Sequence, residues 1–134
     1  MKFSAKEQYG LRAMVELARR YGQGPIPLGA VAQSQAISLA FLEQVVMPLR
    51  AAGLVCSTRG ANGGYALTRI PQLVTVAEVL RALEGDVVSF SCMSDGQDPP
   101  CKRGERACGA RQVWERVQSR LTEALDSTTL ADLC

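Results

Sequence analysis

Three of the five cysteines in this 134-residue chain fall in one stretch, CMSDGQDPPCKRGERAC, at positions 92, 101 and 108. Around them stand Gly, Pro, Asp, Lys, Arg and Glu in place of the hydrophobes that normally surround a structural thiol. In a reducing compartment such a loop reads as metal ligands or redox groups. The opening MKFSAKEQYG has no apolar run to serve as a secretory leader, so the expectation is a cytoplasmic protein with reduced thiols. Thiolates favour iron-sulfur clusters and zinc. Eight and six residues separate Cys92, Cys101 and Cys108, a spacing that suits a loop wrapping one centre. The short Cys-x-x-Cys ribbons of structural zinc sites are absent and the chain has no histidine, so zinc would have to recruit Cys56 or Cys134. Those two read instead as a buried strand residue and a frayed terminal thiol. A thiol switch is the third chemistry, because Lys102, Arg103 and Arg106 lie where cations would favour a thiolate.

The elements around this loop follow from periodicity and punctuation. Leu11, Met14, Leu17, Ala18 and Tyr21 keep helical spacing, and Ser4 with Glu7 makes a capping box, which predicts a helix over about 5–21. GQGPIP stops it and sets Pro27 at the mouth of a short second helix with Leu28, Val31 and Ala32 inward. AIS turns the chain. Ser38 then caps a third helix with Leu39, Leu42, Val46 and Leu49 on its inner face, ending before Gly53. Pro48 predicts a kink or break in that helix near 44–47, since an interior proline costs about 3 kcal/mol. Residues 53–68 alternate on either side of Asn62-Gly63, a hairpin signal. A second capping box, Thr75 with Glu78, opens a fourth helix with Val79, Leu80 and Leu83, stopped at Gly85. After the cysteines, Val113, Trp114, Val117, Leu121, Ala124 and Leu125 mark a long amphipathic helix, and Thr128 or Thr129 caps a last turn around Leu130 and Leu133.

Composition is that of one soluble domain, 47% hydrophobic and 21% charged, with no apolar run near the length of a membrane span. The net charge of +2 hides an asymmetry: residues 1–70 hold eight Lys/Arg against three Asp/Glu, and residues 71–134 hold seven against ten. The first half therefore favours an anionic partner. Three Phe, three Tyr and one Trp are too few for a single-strand stacking platform. No histidine-based dyad, phosphate loop or carboxylate pair suggests an enzyme. A helix, a helix-turn-helix and a Gly-tipped hairpin make a mainly α, winged helix-turn-helix domain. In that layout the helix opening at Ser38 enters the major groove of double-stranded DNA and Arg59 on the wing reaches the minor groove. The boundaries expected are a DNA-binding domain over 1–86, a cysteine-bearing loop over 87–109, and a dimerisation helix with its tail over 110–134. The apolar stripe of the last helix calls for a two-fold partner, and so for a palindromic operator.

AISLAFLEQVVMPLRAAGLVCSTRGANGGYALTR, the TVAEVLRALEG helix and the cysteine trio together resemble the Rrf-type winged-helix regulators, the IscR- and NsrR-like iron-sulfur group, over essentially the whole chain. The resemblance implies a homodimeric transcription regulator whose long helix pairs with its twin and whose Cys92, Cys101 and Cys108 hold an iron-sulfur cluster, 2Fe-2S in preference to 4Fe-4S. It implies that Ser38, Phe41, Glu43 and Gln44 face the bases and that Arg59 and Gly60 belong to the minor-groove tip. Glu and Gln have the chemistry to pair with cytosine N4 and adenine N6/N7, while Ser38 also suits a cap and Phe41 a core position. Gly60, Gly63 and Gly64 permit the tight turn and close backbone approach. The chain departs from the group at the fourth ligand. Arg111 stands where IscR-like members carry a histidine, and Gln8 stands where NsrR-like members carry an acid. The remaining coordination is left to an oxygen ligand, for which Glu7 beside Gln8 is the candidate although it also suits the capping box, to a small molecule, or to a thiol from elsewhere in the dimer.

Overall fold

The computed structural model describes residues 3–85 and 109–134. Helix α1, Ala5–Arg19, opens on the expected capping box: Ser4 Oγ accepts from the Glu7 N–H at 3.1 Å and the Glu7 carboxylate accepts from the Ser4 N–H at 2.9 Å. It ends two residues short of Tyr21, whose ring is exposed, because Gly22 takes a left-handed φ of 86° that turns the chain. Helix α2, Leu28–Gln35, follows Pro27 at its N-cap. Its C-terminal turn is made by Ala36 at φ 53°, an unusual conformation for a residue with a Cβ, and is closed by the Ile37 N–H bonding to Ala32 O at 2.9 Å.

Helix α3, Leu39–Ala51, corrects the expectation of a break. It runs unbroken through Pro48. The proline withholds one N–H from an exposed carbonyl at Gln44, while Leu42, Val45, Val46 and Leu49 are buried on both sides of it. That burial outweighs one missing bond. Val45, not Leu39, completes the inner face, and Leu39 at the first turn is exposed.

Strands β1, Val55–Thr58, and β2, Gly64–Leu67, pair antiparallel with Val55 opposite Leu67 and Thr58 opposite Gly64. The sequence did not reveal a third contributor: Ile26 exchanges backbone hydrogen bonds with Tyr65 at 2.8 and 2.9 Å. Cys56 is exposed, which corrects its assignment as a buried strand residue. On β1 the residues beyond Val55 are exposed on both faces, while Tyr65 on β2 packs against the core. Helix α4, Val76–Glu84, carries the second capping box and stops at Gly85.

Helix α5, Gly109–Ser127, has no buried residue; Val113 is 53% and Trp114 40% exposed. Its end is fastened to the domain. Leu130 is fully buried in the same core as Met14, Val31, Leu42 and Val79, and its N–H bonds to Val74 O at 2.9 Å. Thr129 and Asp132 cap the final turn reciprocally. Cys134 is thereby tied down rather than frayed, its thiol donating to Leu130 O at 3.2 Å. Among the described residues, no helix is long and apolar enough to cross a membrane.

Candidate nucleic-acid interface

Ser38 stands at the N-cap of α3, its Oγ accepting from the Phe41 N–H at 3.1 Å. This satisfies an otherwise orphan donor and fixes where the helix begins. Leu42, Val45, Val46 and Leu49 then anchor the helix to the core, so Ala40, Glu43, Gln44 and Met47 face solvent on the opposite side. Glu43 and Gln44, expected to face bases, are thus brought together on one exposed stripe. Phe41 is not on it. Its ring is half-buried against the core and meets the Tyr9 ring edge-on, with centroids 5.8 Å apart and planes at 84°.

That aromatic contact belongs to a clamp holding α1 against the helix-turn-helix, which periodicity gave no means of finding. The Arg12 guanidinium lies 5.3 Å from the Tyr9 ring centroid and donates to Gln35 O at 2.7 Å, a cation at the negative end of α2. Gln35 in turn donates to the buried carboxylate of Glu16, which also holds Arg20 at 2.8 Å. The clamp spans residues more than twenty positions apart, so no local pattern records it.

The wing follows α3 through the Gly53 turn, with the Leu54 N–H bonded to Leu49 O at 3.0 Å. Arg59 is exposed at the tip. Gly60 beside it has a φ of 115°, a conformation open to glycine but not to side chains with a Cβ. A Cβ on Gly64 would run into the backbone of Ile26 and Pro27, the segment that adds the third set of sheet bonds. Arg50, which the sequence did not single out, is also exposed, one turn beyond Met47 on α3.

Cys92, Cys101 and Cys108, the expected metal ligands, lie outside the described residues. The segment that carries them leaves the described fold after Gly85, where Ser4 Oγ donates to the Glu84 carboxylate at 3.1 Å. The end of α4 thus adjoins the start of α1, with Glu7 and Gln8. The Glu7 side chain is buried and engaged in its capping box. Among the described residues, no three Cys, Asp or Glu side chains converge to hold a metal ion. Cys134 shares a surface groove with Ala18, Arg19 and Tyr21, at the other end of α1. Eleven helical steps, about 16 Å, separate Ala18 from Glu7.

A helix-turn-helix closed by a wing, with a long unburied helix after it, agrees with the family model described as an iron-dependent transcriptional regulator, Rrf2, which matches residues 3–134. The chain belongs to the Rrf2 family. It is 44% identical over 133 residues to the HTH-type transcriptional regulator CymR of Bacillus subtilis, covering 99% of this chain and 89% of that protein. It is 35% identical over 133 residues to the HTH-type transcriptional regulator IscR of Vibrio campbellii, covering 99% of this chain and 77% of that protein. The structure of B. subtilis CymR, described as the global cysteine regulator, superposes with a TM-score of 0.86 at 43% identity, over 99% of this chain and 95% of that one. The oxidised form of Staphylococcus aureus CymR superposes at 0.78 and 37% identity, over 99% of this chain and 95% of that one. This Rrf2 chain is therefore a transcriptional regulator with a winged helix-turn-helix fold.

Proposed function

We propose that this Rrf2 protein is a cytoplasmic homodimer that binds a palindromic operator and reports iron, sulfur, redox or nitric oxide status through an iron-sulfur cluster held by Cys92, Cys101 and Cys108. The observation that carries this is the donor set itself: three thiolates in one short polar segment of a chain that has no histidine. The junction between the end of α4 and the start of α1 supports it, because that segment departs beside the helix clamped onto α2 and α3. When bound, such a cluster supplies a centre that reacts with oxidants and nitric oxide. Ser38 caps the recognition helix, Glu43 and Gln44 read base edges, and Arg59 with Gly60 forms the minor-groove tip. Phe41 sets the angle of the recognition helix through Tyr9. The fourth coordination position falls to an oxygen donor, with Glu7 the candidate, to a small molecule, or to a thiol from elsewhere in the dimer.

A cluster-free regulator, governed by thiol oxidation, a partner protein or a metabolite, is the alternative. It is favoured by the greater identity to CymR, 44% against 35% for the IscR relative, and by the existence of an oxidised CymR form. Anaerobic purification with visible absorbance, iron and acid-labile sulfide assays separates the two. A coloured protein with stoichiometric sulfide, lost in each single Cys92→Ala, Cys101→Ala and Cys108→Ala variant, is the expected result. A colourless protein without sulfide, whose operator affinity changes when its thiols are oxidised, would establish the alternative.

A further inference from the structure

Among the solvent-facing side chains on the outward stripe of α3, Met47 is the large apolar one. At about 100° of rotation per residue, Met47 stands near the middle of that face, almost opposite buried Leu49. It is 69% exposed, more than any other large hydrophobic side chain among the described residues. A flexible, polarizable thioether gains nothing from water, and it sits in line with Glu43 and Gln44, whose groups suit base edges. In the major groove the apolar feature among the hydrogen-bonding groups is the C5-methyl of thymine. Building on the proposal that α3 enters that groove, we propose that Met47 is a specificity-determining residue that selects a thymine by covering its methyl group. Ala40 lies on the same line about 10 Å earlier along the helix, so the base that Met47 covers is not the one opposite Ala40.

The test uses the full-length protein, purified anaerobically, to enrich binding sequences from a random duplex pool. Each thymine of the enriched sequence is then replaced singly by uracil, which deletes only the methyl. At one thymine per half-site, uracil should weaken binding about fourfold, the worth of one buried methyl. Met47→Ala should bind the thymine duplex correspondingly less well and show no further loss with uracil at that position, while Met47→Leu keeps the thymine preference. Met47 is not a core residue, so both variants should retain the parent's unfolding midpoint. Uracil tolerated at every position, or an equal uracil penalty in the parent and Met47→Ala, overturns the inference while leaving DNA binding intact. A pool from which nothing is enriched overturns DNA binding and this inference together.

Discussion

Arg59 and Glu43 would act on the same duplex through different physics, and their variants should fail differently. A cation at an exposed wing tip contributes chiefly by displacing counterions from phosphates and by favouring a narrow minor groove. Arg59→Ala should therefore weaken binding to all sequences, most where the minor groove is narrow, and lower the slope of log affinity against log salt by about 1. A carboxylate on the α3 stripe contributes by accepting from a base edge and by penalising the wrong base. Glu43→Ala should relax discrimination at one base pair by about 1–3 kcal/mol. Titrating both variants across salt concentrations and single-base operator changes checks the pair, and indistinguishable curves would remove the proposed docking. Glu43 and Gln44 on the stripe were legible beforehand through the family resemblance, while periodicity supplied the inner face of Leu42, Val46 and Leu49; Ala40 and Met47 were not singled out. Phe41 was not decidable in that way. Its position follows from Tyr9, an α1 residue thirty-two positions earlier, and only the fold brings the two rings together.

Among the elements, the recognition helix shows where a local rule loses to packing. The proline penalty led to an expected kink or break near residues 44–47, yet α3 continues without a break to Ala51 because four buried aliphatics hold it on both sides of Pro48. The penalty is still present in the folded state. Pro48→Ala restores an N–H donor to Gln44 O and removes the ring's clash with the preceding turn. Part of that gain is offset by the greater freedom of alanine in the unfolded chain. A net stabilisation of about 1–2 kcal/mol is expected, a rise of several degrees in unfolding midpoint, measurable by thermal circular dichroism. An unchanged or lower midpoint would mean that α3 already accommodates the proline without cost. Capping boxes, by contrast, were readable outright at Ser4 and Thr75, since the signal is two residue types three positions apart. The Ile26 contribution to the wing and the exposed Cys56 were not, because sheet membership and the burial of each strand depend on tertiary placement.

At the scale of the molecule, α5 raises the question of what covers it. Nineteen residues of helix extend about 28 Å, and none of them is buried within the chain. Val113, Trp114, Val117, Leu121 and Leu125 nevertheless repeat at the spacing of a helix-packing seam. The end of the helix is fixed by Leu130 in the core and by the Arg81–Asp126 pair at 3.6 Å, so the apolar stripe is presented by an anchored support. In the proposed homodimer a second copy of the same helix would supply the complementary surface, and two-fold pairing would set two α3 helices against two half-sites. Leu121, half-buried near the middle of α5, is the position to test. Leu121→Glu would place a charge in the proposed seam, and Leu121 is not among the buried residues of the core. Sedimentation should show a monomer that retains the parent's helical content. Operator affinity should fall by about a hundredfold or more, because each half-site must then be bound without the gain from linkage. A Leu121→Glu protein that remained dimeric would move the two-fold axis off α5, and a monomeric parent that bound a palindrome at full affinity would remove the axis altogether.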